Sequence, residues 1–155
     1  MSYTEYADDH FKTVEATATG VKTVLTGVFP TTPMVFDVLA LQTRYGADTA
    51  TAAGNTTYTF SQSTPFMQTI WDAGGTDTID LSSHTRGSIV DLTPGAYSSI
   101  AYYSASAQAA YWTQIYPWAQ SFFQTQFGQA DTYTWSNNLG IAYGAVIENL
   151  SLIHI

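Results

Sequence analysis

Three features of this sequence predict a mainly β fold with a few helices. From Gly54 onward, short runs rich in Thr, Ile, Val and aromatic residues are separated by Gly, Asp and Ser. Helical spacing appears in only two regions, near 32–46 and 101–127. The 45 % hydrophobic and 15 % aromatic content can fill a core, which separates the chain from disordered sequences. Strands this short and this regularly punctuated fit a meander or β-roll better than a doubly wound sheet. With 155 residues there is room for one domain or pieces of two.

The first twenty residues read as polar and irregular, with Asp8-Asp9-His10 as a solvated cluster that lacks metal-ligand spacing. Thr32-Pro33 predicts a helix start, because Thr can cap and Pro loses no needed N–H at the first helical position. Val35, Val38, Leu39 and Gln42 share a stripe, Met34, Leu41 and Tyr45 lie beside it, and Gly46 ends the helix. Apolar on more than one side, this helix is expected to be largely buried. Thr56–Phe60 alternates, with Thr56, Tyr58 and Phe60 on one face. Residues 69–71, 78–81, 88–90 and 145–147 are further strand candidates. Between 101 and 127, Trp112, Ile115 and Tyr116 stand at helical spacing and Trp118, Phe122, Phe123 and Phe127 continue the stripe. Pro117 divides this region into two short helices. Packing onto a sheet accounts for these aromatics, and a docking or sugar-stacking surface is the alternative.

Charge narrows the function classes. Four basic and twelve acidic residues give a net charge of -8, so no basic face is available for nucleic acid. The same sign disfavours an anionic membrane surface, and no apolar run approaches the ~20 residues of a spanning helix. Without cysteine there is neither a disulfide framework nor a thiolate zinc site. No Gly-x-Ser-x-Gly elbow, phosphate loop or dinucleotide fingerprint occurs, and three scattered histidines do not make a catalytic zinc site. Met1 is not followed by a basic segment and an apolar run, and both ends read as cuts through a longer protein.

The densest chemical signal is Trp71-Asp72-Ala73-Gly74-Gly75-Thr76-Asp77-Thr78-Ile79-Asp80. Calcium takes six to eight oxygens, which carboxylates and backbone carbonyls in a tight loop can supply. Residues 75–80 fit half of a calcium-binding β-roll nonapeptide, with the apolar residue turned inward. Gly-Gly-Thr-Asp is also ordinary turn chemistry, and both readings stand on these residues alone. Acid/base catalysis by Asp72 and Asp77, as in a carboxylate-dependent hydrolase, is the weaker reading. A loop that gathers acids around a cation leaves neither poised to give up a proton.

Taken in order, several segments resemble one family, the serralysin-type secreted zinc metalloproteases of the metzincin group. Met1-Ser2-Tyr3 is similar to the Met-turn. Pro33-Met34 with Asp37–Gln42 and Tyr45-Gly46-Ala47 resembles the last helix of the catalytic domain. Gly54–Tyr58, Ile70–Asp80, Asp91-Leu92 with Gly95, and Ile141–Asn149 resemble the calcium-binding C-terminal domain that follows. The resemblance covers about residues 1–100 and 139–150. It implies the end of a catalytic domain over 1–48, then a β-roll or β-sandwich calcium-binding domain over 49–150, with a variant insertion at about 101–138 and an anomalous tail at 151–155. Asn55 stands where an aspartate is common.

The resemblance implies these roles. One calcium site would use the carbonyls of Ala52 and Gly54, with Thr56, Asp72, Gly74 and Asp77. A second would use Gly75, Asp77, the Val146 carbonyl and Glu148. Glu148 is expected inside an apolar strand, where an unpaired charge would be costly. Met1 would underlie the zinc and Tyr3 would bind it in the full-length parent, which would cleave peptides and be secreted from a bacterium. The zinc-binding helix with its His-Glu-x-x-His motif, the nonapeptide array and the C-terminal secretion signal are missing from this chain, so it is expected to be inactive alone. The alternative is a non-catalytic extracellular binding module that uses Trp112, Trp118 and Phe122.

Overall fold

A computed structural model of the chain describes residues 10–152. These form two compact units, one from the described part of Met1–Phe29 with Tyr103–Trp135, the other from Pro30–Tyr102 with the described part of Ser136–Ile155.

The first unit opens with an antiparallel hairpin where irregular chain was expected. Its strands are β1 (His10–Thr17) and β2 (Gly20–Gly27), in register from His10 opposite Gly27 to Thr17 opposite Gly20. The inward positions of β1 are Lys12 and Val14, and a lysine at an inward position hides the apolar alternation. Lys12 is buried because its ammonium donates to the Gln126 carbonyl at 2.8 Å, Gln129 Oε1 at 3.1 Å and Asp131 Oδ1 at 2.5 Å.

Two helices were expected with a break at Pro117, and two form: α2 (Ala105–Ile115) and α3 (Gln120–Phe127), joined through a 3-10 turn at Pro117–Ala119. The Ser104 hydroxyl caps α2 by accepting from the Ala107 N–H. Phe123 and Phe127 are fully buried with Val14, Ala109 and Ala119, and Val21, Trp112, Tyr116 and Phe122 pack around them. Burying each such phenylalanine is worth roughly 1.5–3 kcal/mol, and this aromatic stripe holds the unit together.

The second unit holds α1 (Val35–Tyr45), β3 (Thr57–Thr59), β4 (Gln68–Ile70), β5 (Thr78–Leu81), β6 (Tyr97–Ser98), β7 (Leu139–Ile141) and β8 (Asn149–Leu152). One sheet has the order β3-β5-β8, all parallel, with Thr57 opposite Thr78 and Thr78 opposite Asn149. The other has the order β4-β7-β6, with β4 parallel and β6 antiparallel to β7. Ile70, Ile79, Leu81, Ile100, Leu139 and Ile141 are among its buried residues. A Cβ on Gly140 would meet Val35 Cγ2 at 2.6 Å, so a glycine in β7 lets the start of α1 approach closely.

Helix α1 begins two residues later than expected. The Thr32 hydroxyl accepts from the Thr69 N–H at 2.7 Å, so Thr32 does not cap the helix. Met34 is the cap residue, with its N–H bonded to Asp37 Oδ2 at 3.1 Å. Gly46 ends the helix at φ +86°, as expected. The expected deep burial of α1 is corrected: only Val35 is buried, and Phe36, Leu41 and Tyr45 are exposed.

Residues 88–90 make a single bridge, Ile89 to Ser99, and no strand. The strand expected at 145–147 lies instead at Asn149–Leu152, so Ser151 and Leu152 of the expected tail pair with Asp80 and Leu81. The mainly β expectation is corrected as well, since strand and helix take similar shares of the described residues. No described helix is long and apolar enough to cross a membrane.

Candidate metal centre

The loop between β4 and β5 is fixed by bonds to the chain that precedes β3. Trp71 Nε1 donates to the Asp48 carbonyl at 3.2 Å, and the Ala73 N–H donates to the Thr51 carbonyl at 3.1 Å. Asp72 is buried and both its oxygens accept, Oδ1 from the Gly74 N–H at 2.9 Å and Oδ2 from the Tyr58 hydroxyl at 2.6 Å. Gly74 and Gly75 have φ of +137° and +143°, which side chains rarely adopt. A Cβ on Gly75 would meet the Gly54 carbonyl carbon and oxygen at 2.7 Å, so the two backbones lie against each other.

Asp77 is the hub. Fully buried, it accepts at Oδ1 from the Thr56 N–H at 2.7 Å. Its N–H donates to Glu148 Oε2 at 2.7 Å, and its carbonyl accepts from the Asn149 N–H at 3.0 Å. The Thr56 hydroxyl donates to the Gly54 carbonyl at 2.9 Å, and Asn55 Oδ1 accepts from the Thr76 N–H at 3.0 Å. Asp77 Oδ2 is buried without a hydrogen-bond partner. A buried anionic oxygen in that state is costly unless a cation or donor reaches it.

Burial pushes the Tyr58 phenol up, and the hydrogen bond to Asp72 with the charges of Asp72 and Asp77 adds to the effect. Hydrogen bonds from the Thr51 hydroxyl and the Ala50 N–H hold Asp48 below the usual carboxylate range. Among the described residues no three His, Cys, Asp or Glu side chains converge as a metal-binding group.

Of the residues singled out from the sequence, Gly54, Thr56, Asp72, Gly74, Gly75, Asp77 and Glu148 take part in this set of bonds and contacts. Ala52, at φ +54°, and Val146, an exposed residue, make none of these bonds. Glu148 is corrected: it is exposed, in the loop before β8, and no unpaired charge is buried there. Met1 and Tyr3 lie outside the described residues. Tyr58 was missed as a partner of Asp72, although its alternation with Thr56 was the signal that it faces the loop. Asp72 and Asp77 are both buried, which gives the hydrolase reading no open carboxylate pair. Of Trp112, Trp118 and Phe122, only Trp118 is largely exposed. His84 is buried, with Nε2 donating to the Phe60 carbonyl at 2.7 Å.

Residues 36–111 match the family model described as Peptidase M10 serralysin C terminal. The match takes in α1 from Phe36 onward, the glycine loop and Asp77, and stops short of Val146 and Glu148. Over 80 residues the chain is 32 % identical to a protein named serralysin C from Dickeya chrysanthemi, covering 44 % of this chain and 17 % of that protein. Over 86 residues it is 31 % identical to serralysin B of the same organism, covering 48 % and 18 %. It is 32 % identical over 80 residues to a metallopeptidase named AprA from Pseudomonas marginalis, covering 44 % and 17 %. The aligned part is under a fifth of each relative's own length.

Proposed function

We propose that this chain is of the serralysin type and is the calcium-binding C-terminal segment of a secreted, extracellular zinc metalloendopeptidase. Residues 1–48 would close the catalytic domain, with Met1 in the Met-turn and Tyr3 on the zinc of the full-length protein. Residues 49–150 would begin the calcium-binding domain, with an insertion at about 101–138. Peptides would be substrates of the full-length protein only. This chain lacks the His-Glu-x-x-His helix, and Tyr3 alone cannot hold zinc, so it is inactive by itself.

The observation that carries the calcium reading is Asp77 Oδ2, buried and without a donor, on a loop that also carries two glycines at positive φ. Ala52, Gly54, Thr56, Asp72, Gly74 and Asp77 would hold one ion. Gly75, Asp77, Val146 and Glu148 would hold a second. Calcium bound there would supply the positive charge that offsets three neighbouring acids.

A ligand that binds only the folded form stabilises it by about 2.7 kcal/mol at a hundredfold excess over Kd. Calcium should therefore raise the melting temperature, and magnesium should raise it much less, because it resists an irregular carbonyl-rich shell. Asp77→Ala should abolish the calcium-dependent shift, whereas Asp91→Ala, outside the loop, should keep it. A melting curve unmoved by calcium, or equal calcium responses in the two variants, would refute the reading.

A further inference from the structure

The Asp72 carboxylate is almost wholly buried, and its orientation is set by two donors, one on each oxygen. The Gly74 N–H belongs to the loop itself. The Tyr58 hydroxyl, 2.6 Å from Oδ2, comes from β3 and is the only one of the two carried by a side chain. Strand β3 pairs with β5 at Tyr58 opposite Ile79, two residues past Asp77, so the phenol and the loop are anchored to one frame. Each carboxylate oxygen has two lone pairs, and a single donor leaves one free for a cation.

We propose that Tyr58 is a positioning residue of this centre: its hydroxyl holds the Asp72 carboxylate in the orientation that presents it to the bound cation. The inference rests on the calcium reading above. Without the hydroxyl, Oδ2 loses its donor and the carboxylate is free to turn about its own bond, so a water takes its place on the ion. Phenylalanine keeps the ring and the strand packing, which confines the change to the hydroxyl.

Terbium, a hard oxygen-seeking ion with measurable luminescence, is the probe for the full 155-residue chain. The unsubstituted protein should bind it, and calcium should displace it. Tyr58→Phe should weaken binding about tenfold, the loss of one hydrogen bond to a charged group. Luminescence lifetimes in H₂O and D₂O should show about one more bound water in that variant. In an Asp72→Asn background the same substitution should change neither quantity. Equal affinity and equal hydration in Tyr58→Phe and the unsubstituted chain, with terbium bound to both, would overturn the role of Tyr58 alone. No terbium binding to the unsubstituted chain would overturn the calcium reading and this inference together. Should Tyr58→Phe fail to fold, the assigned Tyr58 ring resonances of the unsubstituted protein must shift when calcium is added, and unmoved resonances refute the proposal.

Discussion

A methyl group on Gly75 would stand 2.7 Å from the carbonyl carbon and oxygen of Gly54, on a backbone at φ +143°. The neighbouring Gly74 has the same kind of backbone at φ +137° but open space around it. Gly74→Ala should thus cost strain alone, about 1 kcal/mol, and Gly75→Ala roughly 2–3 kcal/mol or more, as read by chemical denaturation. A second contrast lies at Lys12, whose side chain is fully buried while that of Asp131 is 37 % exposed. Asp131→Ala leaves an ammonium with only carbonyl partners and should cost roughly 3 kcal/mol, while Lys12→Met leaves a carboxylate that water reaches and should cost less, about 1–2 kcal/mol. The reverse order would mean that solvent reaches the Lys12 ammonium. Asp72, Asp77 and the glycines were legible in the sequence because their spacing carries the turn chemistry. Lys12 was not, since the partners that make its burial tolerable lie 114 to 119 residues away.

Helix α1 shows what helical spacing can and cannot tell. Its existence and its end at Gly46 were legible, because propensity and a C-terminal glycine act locally. Its burial was not, because an apolar residue is covered only if another element lies over it. Phe36 is 67 % exposed, so Phe36→Ser should change the stability of this chain by less than about 0.5 kcal/mol. Asp37→Ala removes the acceptor of the Met34 N–H and should cost about 1 kcal/mol, measured in the same denaturation series. The reverse order would show that the exposed face is packed in solution. The β1–β2 hairpin is not legible in the sequence for a related reason: Ala18-Thr19 between its strands lacks the Asn-Gly or Gly-x signal of a two-residue turn. Strand β5 was found at its observed limits, where alternation places Ile79 and Leu81 inward.

With two units in one chain, the proposed calcium ion should act locally. If the ion binds the loop, amides of residues 56–59, 72–81 and 148–152 should gain protection from hydrogen exchange when calcium is added. Amides of β1, β2, α2 and α3 lie in the other unit and should exchange as before. Uniform protection across both units would mean that the ion acts on the whole chain. What composition gave at this scale was a core-forming chain with short strands. It could not give the parallel order β3-β5-β8, which depends on a strand beginning at Asn149 after an interruption at 103–135.

That order also sets a timetable. The Asp77 N–H meets Glu148 across 71 residues of chain, and β8 pairs with β5 only after both have been made. At ribosomal speeds of about 5–20 residues per second, the loop waits roughly 4–14 s for its last acid and its third strand. During that interval one edge of β5 has no native neighbour, and another nascent chain can dock there instead. A loop that completes itself this late keeps its domain open while it is being made.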